Sequence, residues 1–113
     1  MTGEEKLLAR VREICASLDG VSEGEAWRHP VFQANGKTFL AFEHKDGKPV
    51  LAFHLPPDEV DILTRDPRFL PTPYGRGEWV SLRLTGRTPW KLAAKLARRS
   101  RASVGSRRIT RAR

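Results

Sequence analysis

Two hairpin turns constrain this chain more than any other feature. Asn35-Gly36 lies between Val31-Phe32-Gln33-Ala34 and Thr38-Phe39-Leu40-Ala41-Phe42. Asp46-Gly47 lies between that segment and Val50-Leu51-Ala52-Phe53. A two-residue hairpin turn needs positive φ at its central residues, and Asn-Gly and Asp-Gly take that conformation at least cost. The pattern predicts a three-stranded antiparallel meander over residues 26–34, 37–44 and 49–55. With both turns two residues long, Val31 faces Leu40 and Leu40 faces Phe53, while Phe32 faces Phe39 and Phe39 faces His54. One face then collects Trp27, Val31, Leu40, Phe42, Leu51 and Phe53, and is expected to be the core. The other collects Arg28, Phe32, Phe39, Ala41, Glu43, Val50, Ala52 and His54. A one-residue slip exchanges the two faces.

The remaining elements follow from periodicity and punctuation. Leu7, Leu8, Val11, Ile14, Cys15 and Leu18 fall on one helical face, which predicts a helix over residues 4–18. Glu4 and Glu5 in its first turn suit the helix dipole. Gly20 can take a left-handed cap after it. Pro56-Pro57-Asp58-Glu59 opens a short helix with Val60, Ile62 and Leu63 on its apolar side, and Asp66-Pro67 stops it. Residues 69–77 read as a surface loop rich in Pro and Gly. Trp79 to Leu84 alternates as a strand, with Val80, Leu82 and Leu84 on one face. Thr88-Pro89 reads as an N-cap followed by Pro at N1, starting a helix that runs to about residue 101.

The expected architecture is therefore α+β. A two-layer fold with an antiparallel sheet, the meander plus at least one later strand, carries three helices in the order α-β-β-β-α-β-α. At 113 residues, 39% hydrophobic and 30% charged, the chain has the size and composition of one globular domain. No apolar run is long enough to span a membrane, and the acidic start, Met1-Thr2-Gly3-Glu4-Glu5, does not resemble a signal peptide. One cysteine, Cys15, excludes an intramolecular disulfide and points to a cytoplasmic protein, with a monomer favoured.

The charge is unevenly spread. Residues 1–90 hold 12 Lys+Arg and all 13 acids. Residues 91–113 hold nine bases and no acid, and so account for the whole net charge of +8. The division predicted is a folded domain over residues 1–101 and a basic Arg/Ser-rich tail over 102–113. Such asymmetry points to a polyanionic partner.

Several motifs occur together in order. Val11-Arg12-Glu13-Ile14-Cys15 with Leu18-Asp19-Gly20-Val21 is followed by Glu25-Ala26-Trp27-Arg28-His29-Pro30-Val31-Phe32 and Gly36-Lys37. Then come Leu55-Pro56-Pro57-Asp58-Glu59, Pro71-Thr72-Pro73-Tyr74 leading to Trp79, and Trp90. In order and spacing these resemble the MmcQ/YjbR-like family over residues 1–100 or so. The resemblance implies a small two-layer α+β domain whose sheet is similar to a double-wing DNA-binding domain. Its members are commonly labelled DNA-binding, and the family carries no agreed catalytic residues. The chain departs from the family pattern beyond residue 101.

Catalytic chemistry finds little support. Cys15 lies on the apolar helix face, where a thiol is inert. His29, His44 and His54 lack a companion set of ligands with metal-binding spacing, and His54 is expected on the opposite face from the other two. Glu23, Glu25 and Glu43 are turn or strand-edge acids. No phosphate loop, nucleophile elbow or zinc helix is present. The expectation is a protein that is not an enzyme and holds no cofactor or metal.

Nucleic-acid contacts read more strongly. Arg28, Phe32, Phe39, His54, Trp79 and Arg83 interleave cations and aromatics on the second sheet face, unless a helix covers it. The expected function is DNA binding mainly through phosphates, with Arg28, Lys37, Arg76 and Arg83 positioning the domain. Lys91, Lys95, Arg98, Arg99, Arg101, Arg107 and Arg108 would supply sequence-tolerant affinity. The alternative is a non-enzymatic protein- or ligand-interaction module with a solubilising tail, whose concave pocket would lie near Tyr74 and Trp79.

Overall fold

The computed structural model describes residues 2–72 and 75–105. It contains three helices and a six-stranded antiparallel sheet. The chain order is α1 (Gly3–Ala16), β1 (Ser22–Ala26), β2 (His29–Ala34), β3 (Lys37–Lys45), β4 (Lys48–His54), α2 (Pro57–Leu63), β5 (Phe69–Pro71), β6 (Trp79–Arg83) and α3 (Trp90–Ser103). The strands lie in the order β1-β2-β3-β4-β6-β5. The expected α+β class with three helices holds. The meander, however, has four strands rather than three, and β5 adds a second late strand.

The extra strand comes from a turn without glycine. Trp27 and Arg28 join β1 to β2 with φ 54° and 66°. Both values lie in the left-handed region that Asn35-Gly36 and Asp46-Gly47 also occupy. Trp27, expected on the core face, is instead 93% exposed at this hairpin tip.

The register of β3 on β4 matches the expectation, with Leu40 opposite Phe53. That of β2 on β3 does not. Phe32 pairs with Leu40 and Gln33 with Thr38, so Phe39 is an extra residue in β3. A bulge of this kind turns consecutive side chains to the same side. Phe39 and Leu40 are accordingly both fully buried in the main core. Phe32 joins them there, whereas Val31 faces Ala41 on the other side. Each buried Phe contributes about 1.5–3 kcal/mol through removal from water.

All the buried helix residues pack on one face of the sheet. Val11 and Cys15 of α1, Val60 of α2, and Ala93, Leu96 and Ala97 of α3 belong to the cluster containing Phe32, Leu40, Phe42, Leu51, Phe53, Val80 and Leu82. The second face is lined by Val31, Ala41 and Ala52 with Ala26 and Trp79 against them, and no described helix residue joins that cluster.

Helix ends depart from the expectation by a residue or two. Thr2 caps α1 in a capping box, its hydroxyl accepting from the Glu5 amide at 3.0 Å while Glu5 accepts from the Thr2 amide at 2.7 Å. The α3 helix begins at Trp90, one residue later than a Thr88 cap would place it. The Thr88 hydroxyl instead closes a turn on Thr85, accepting from its amide and donating to its carbonyl.

Candidate nucleic-acid interface and sheet cleft

On α3, Lys91, Lys95 and Arg98 are spaced four and three residues apart and are all exposed. That spacing places them on one outer stripe of the helix. The opposite face of α3 is spent on the core through Ala93, Leu96 and Ala97, with Ser100 fully buried behind them.

The two following arginines are held differently. Arg99 forms a two-pronged ion pair with Glu59 of α2. Arg101 donates to the Asp19 carbonyl at 2.7 Å and to the Gly105 carbonyl at 2.7 Å. It therefore ties the turn after α1 to the end of α3. Arg107 and Arg108 lie outside the described residues, as does the greater part of the predicted tail.

The four positioning residues do not form one surface. Arg28 lies in the β1–β2 turn, and Arg83 ends β6 opposite Val50, near the start of β4. Lys37 starts β3 opposite Ala34, and Arg76 precedes the pairing of Trp79 with His54. Arg28 and Arg83 thus stand at one end of the sheet, and Lys37 and Arg76 at the other. All four are exposed. The expected second face of alternating cations and aromatics does not form, because the bulge carries Phe32 and Phe39 into the helix-covered core.

That second face does carry a cleft, of about 270 Å³. Trp27, His29, His44 and Lys45 lie along one side and Leu70, Pro71, Thr72 and Ser81 along the other, with Val50 and Glu43 also in the lining. The His29 and His44 rings are 6.0 Å apart. His44 also meets Glu4 of α1 at 3.0 Å. The Thr72 and Ser81 hydroxyls are hydrogen-bonded at 2.9 Å. Trp79 is not among the described lining residues and Tyr74 lies outside the described ones, but Thr72 and Ser81, two positions from each, do line the cleft.

His54 sits away from this cleft. It contacts Trp79 edge-on at 5.4 Å, Ser103 at 2.8 Å and Glu78 at 3.1 Å. The shortest contact of the Ser103 hydroxyl is its 2.6 Å bond to the Ser100 carbonyl, which holds its proton. The three side chains therefore tie the end of α3 to β4 and to the residue before β6. Sequence reading missed this link because Ser103 and Glu78 carry no local signal.

Cys15 is 5% exposed and lines a shallow hollow of about 210 Å³ with Arg12, Val21, Glu23 and Phe32. Burial, with a smaller contribution from the Glu23 carboxylate, pushes its thiol up to about 12. Arg12 holds Glu23 through two bonds of 2.9 and 2.7 Å. Among the described residues no three His, Cys, Asp or Glu side chains group to hold a metal ion, and no helix is long and apolar enough to cross a membrane.

The YjbR family model matches residues 16–102, most of the chain. The chain belongs to the YjbR family. No curated protein sequence matches it. In fold it is similar to a Deinococcus radiodurans protein with a DUF419 domain, at 18% identity and a TM-score of 0.74, covering 88% of this chain and 79% of that one. It is also similar to a Pseudomonas syringae protein solved by structural genomics, at 16% identity and a TM-score of 0.67, covering 88% and 96%. At such identities the likeness shows a shared fold, and fold alone assigns no activity.

Proposed function

We propose that this YjbR-family protein is a non-enzymatic, cytoplasmic DNA-binding protein that grips duplex phosphates through the outer stripe of α3 and the basic segment after it. The observation that carries the reading is the alignment of Lys91, Lys95 and Arg98 along the exposed side of α3, in a stretch that contains no acid from residue 91 onward. Clustered cations displace condensed counterions from DNA, which gives affinity without base readout. Arginine adds bidentate phosphate contacts that lysine cannot make. The sheet cations at Arg28, Lys37, Arg76 and Arg83 are divided between two ends of the sheet, so this mode relies on the helix rather than the sheet. Arg99 and Arg101 have partners within the fold and contribute less.

A salt titration of duplex binding tests the reading. The full chain should show a steep fall in affinity with salt. A chain ending at Gly105 should show a shallower slope, and Lys91→Ala/Lys95→Ala/Arg98→Ala should lose roughly three further phosphate contacts, about one per cation removed. Equal, weak binding by all three proteins with a flat slope overturns it.

A further inference from the structure

The cleft on the sheet's second face has features that duplex binding by α3 does not use. Trp27 is 93% exposed at its rim, whereas the other two tryptophans, Trp79 and Trp90, are half-buried. Trp27 and Arg28 are also held at φ 54° and 66°. The left-handed region costs a residue with a side chain roughly 1–2 kcal/mol, and the two Gly-containing turns in the same sheet show the less strained solution. A strained turn that presents a large bare aromatic beside a cleft is the arrangement expected of a contact site.

The lining says what would be contacted. The volume of about 270 Å³ falls just under the usual range of ligand sites, so the cleft encloses part of a mononucleotide while the base rests on Trp27 at the open rim, and it is too small for a dinucleotide. The indole of Trp27 offers a π-face at the opening, and such a face accepts any nucleobase. Lys45 and the imidazole of His29 place N–H donors on the same side, suited to a phosphate, whereas His44, also in the lining, is engaged by Glu4 of α1 at 3.0 Å. The Thr72 and Ser81 hydroxyls, bonded to each other at 2.9 Å, line the rest and keep lone pairs suited to the amino group of a base edge. Val50 and Leu70 leave apolar wall between them.

We infer that this cleft binds one nucleotide, its base stacked on Trp27 and its phosphate held by Lys45 with His29. A free mononucleotide and an unstacked nucleotide of a single strand present this same chemistry. The cleft opens on the face whose apolar cluster no described helix residue joins, and α1 touches it only through Glu4 on His44 among the described contacts. It is therefore separate from the α3 stripe, and the inference does not rest on the duplex reading.

Calorimetric titration of the full chain with adenosine monophosphate, inorganic phosphate and a short oligothymidylate tests it. Adenosine monophosphate or the oligothymidylate should bind one per chain, more tightly than phosphate. Trp27→Ala should weaken that binding roughly tenfold or more, the effect of one lost base stack, and Lys45→Ala should weaken it as well. Trp27 buries almost nothing, so Trp27→Ala should keep the parent melting temperature or exceed it, and loss of binding is then not loss of fold. Binding of the mononucleotide alone identifies a free nucleotide as the ligand, and binding of the oligonucleotide alone identifies a strand. The Lys91→Ala/Lys95→Ala/Arg98→Ala protein should bind nucleotide normally while losing duplex, which separates the two readings. The inference is overturned if no nucleotide or oligonucleotide binds, if phosphate binds as tightly as the nucleotide, or if Trp27→Ala and Lys45→Ala bind as the parent does.

Discussion

The hydroxyl of Ser100, in α3, donates to the backbone carbonyl of Phe39, the bulged residue of β3. The same hydroxyl accepts from the His54 amide at 2.9 Å. Phe39 and His54 are the positions that follow the pair Leu40 and Phe53 in the ladder. A helix side chain thus bridges β3 and β4 just beyond the last pair of their ladder, at the residue that bulges against β2. Ser100 is fully buried and its bond to Phe39 with it, so removing the hydroxyl leaves the Phe39 carbonyl without this partner away from water.

Ser100→Ala should consequently cost about 1–3 kcal/mol, the penalty for leaving buried polar groups unpaired. In a domain of this size each kcal/mol lowers the melting temperature by roughly 4–8 °C. Denaturant unfolding of the variant checks this. A loss below about 0.5 kcal/mol would show that the strands close on each other without the bridge.

The Trp27-Arg28 turn leads to the opposite sign. Arg28→Gly relieves a side chain held at φ 66° and removes no hydrogen bond observed for that side chain. Glycine occupies this region freely but adds entropy to the unfolded chain. The net expectation is a gain of up to about 1 kcal/mol, seen as a higher denaturant midpoint at an unchanged slope. A lower midpoint would mean that the arginine has a stabilising contact in solution.

These two positions also show what was legible in the sequence. The Asn35-Gly36 and Asp46-Gly47 turns, the helix faces and the β3–β4 register could all be read, because each is written in local spacing. Strand β1, Ser22–Ala26, could not, since an edge strand of Ser, Glu, Gly and Ala has no apolar alternation to reveal it. The Trp27-Arg28 turn carries no glycine and so resembles a strand start. The Phe39 bulge moved Phe32 across the sheet and removed the expected aromatic face. Ser100, whose hydroxyl bonds the carbonyl of the bulged residue, lies 61 residues away in sequence, beyond the reach of pattern. At the candidate interface, Lys91, Lys95 and Arg98 were legible from helical spacing, whereas the capture of Arg99 by Glu59 and of Arg101 by two carbonyls depends on tertiary packing.

Cys15 predicts an alkaline effect. Burial raises its thiol from the usual 9.0 to about 12, so the folded protein retains the proton where the unfolded chain loses it. The associated stability is fully present below pH 9 and is lost as pH rises from there toward 12. Cys15→Ala removes this contribution, so its stability should fall less steeply than the parent's above pH 9, although the cavity makes it less stable at neutral pH. Parallel curves for the two proteins would refute the assignment. The thiol should also resist a disulfide reagent at pH 8 until the chain unfolds.

Arg98 and Arg101 lie three residues apart in the same basic stretch, and their variants should behave in opposite ways. Arg98 is exposed on the outer stripe of α3, so Arg98→Ala should leave the melting temperature within error and reduce the salt slope of duplex binding by about one. Arg101 joins the Asp19 and Gly105 carbonyls, so Arg101→Ala should release the turn after α1 from the end of α3. The expected cost is about 1 kcal/mol of stability, with little change in the salt slope because its guanidinium was already occupied. Thermal melts and salt titrations on the same preparations read both effects. If Arg101→Ala flattened the slope as much as Arg98→Ala and left stability intact, its intramolecular bonds would give way to phosphate on binding, and the interface would extend past α3 toward the turn at Asp19.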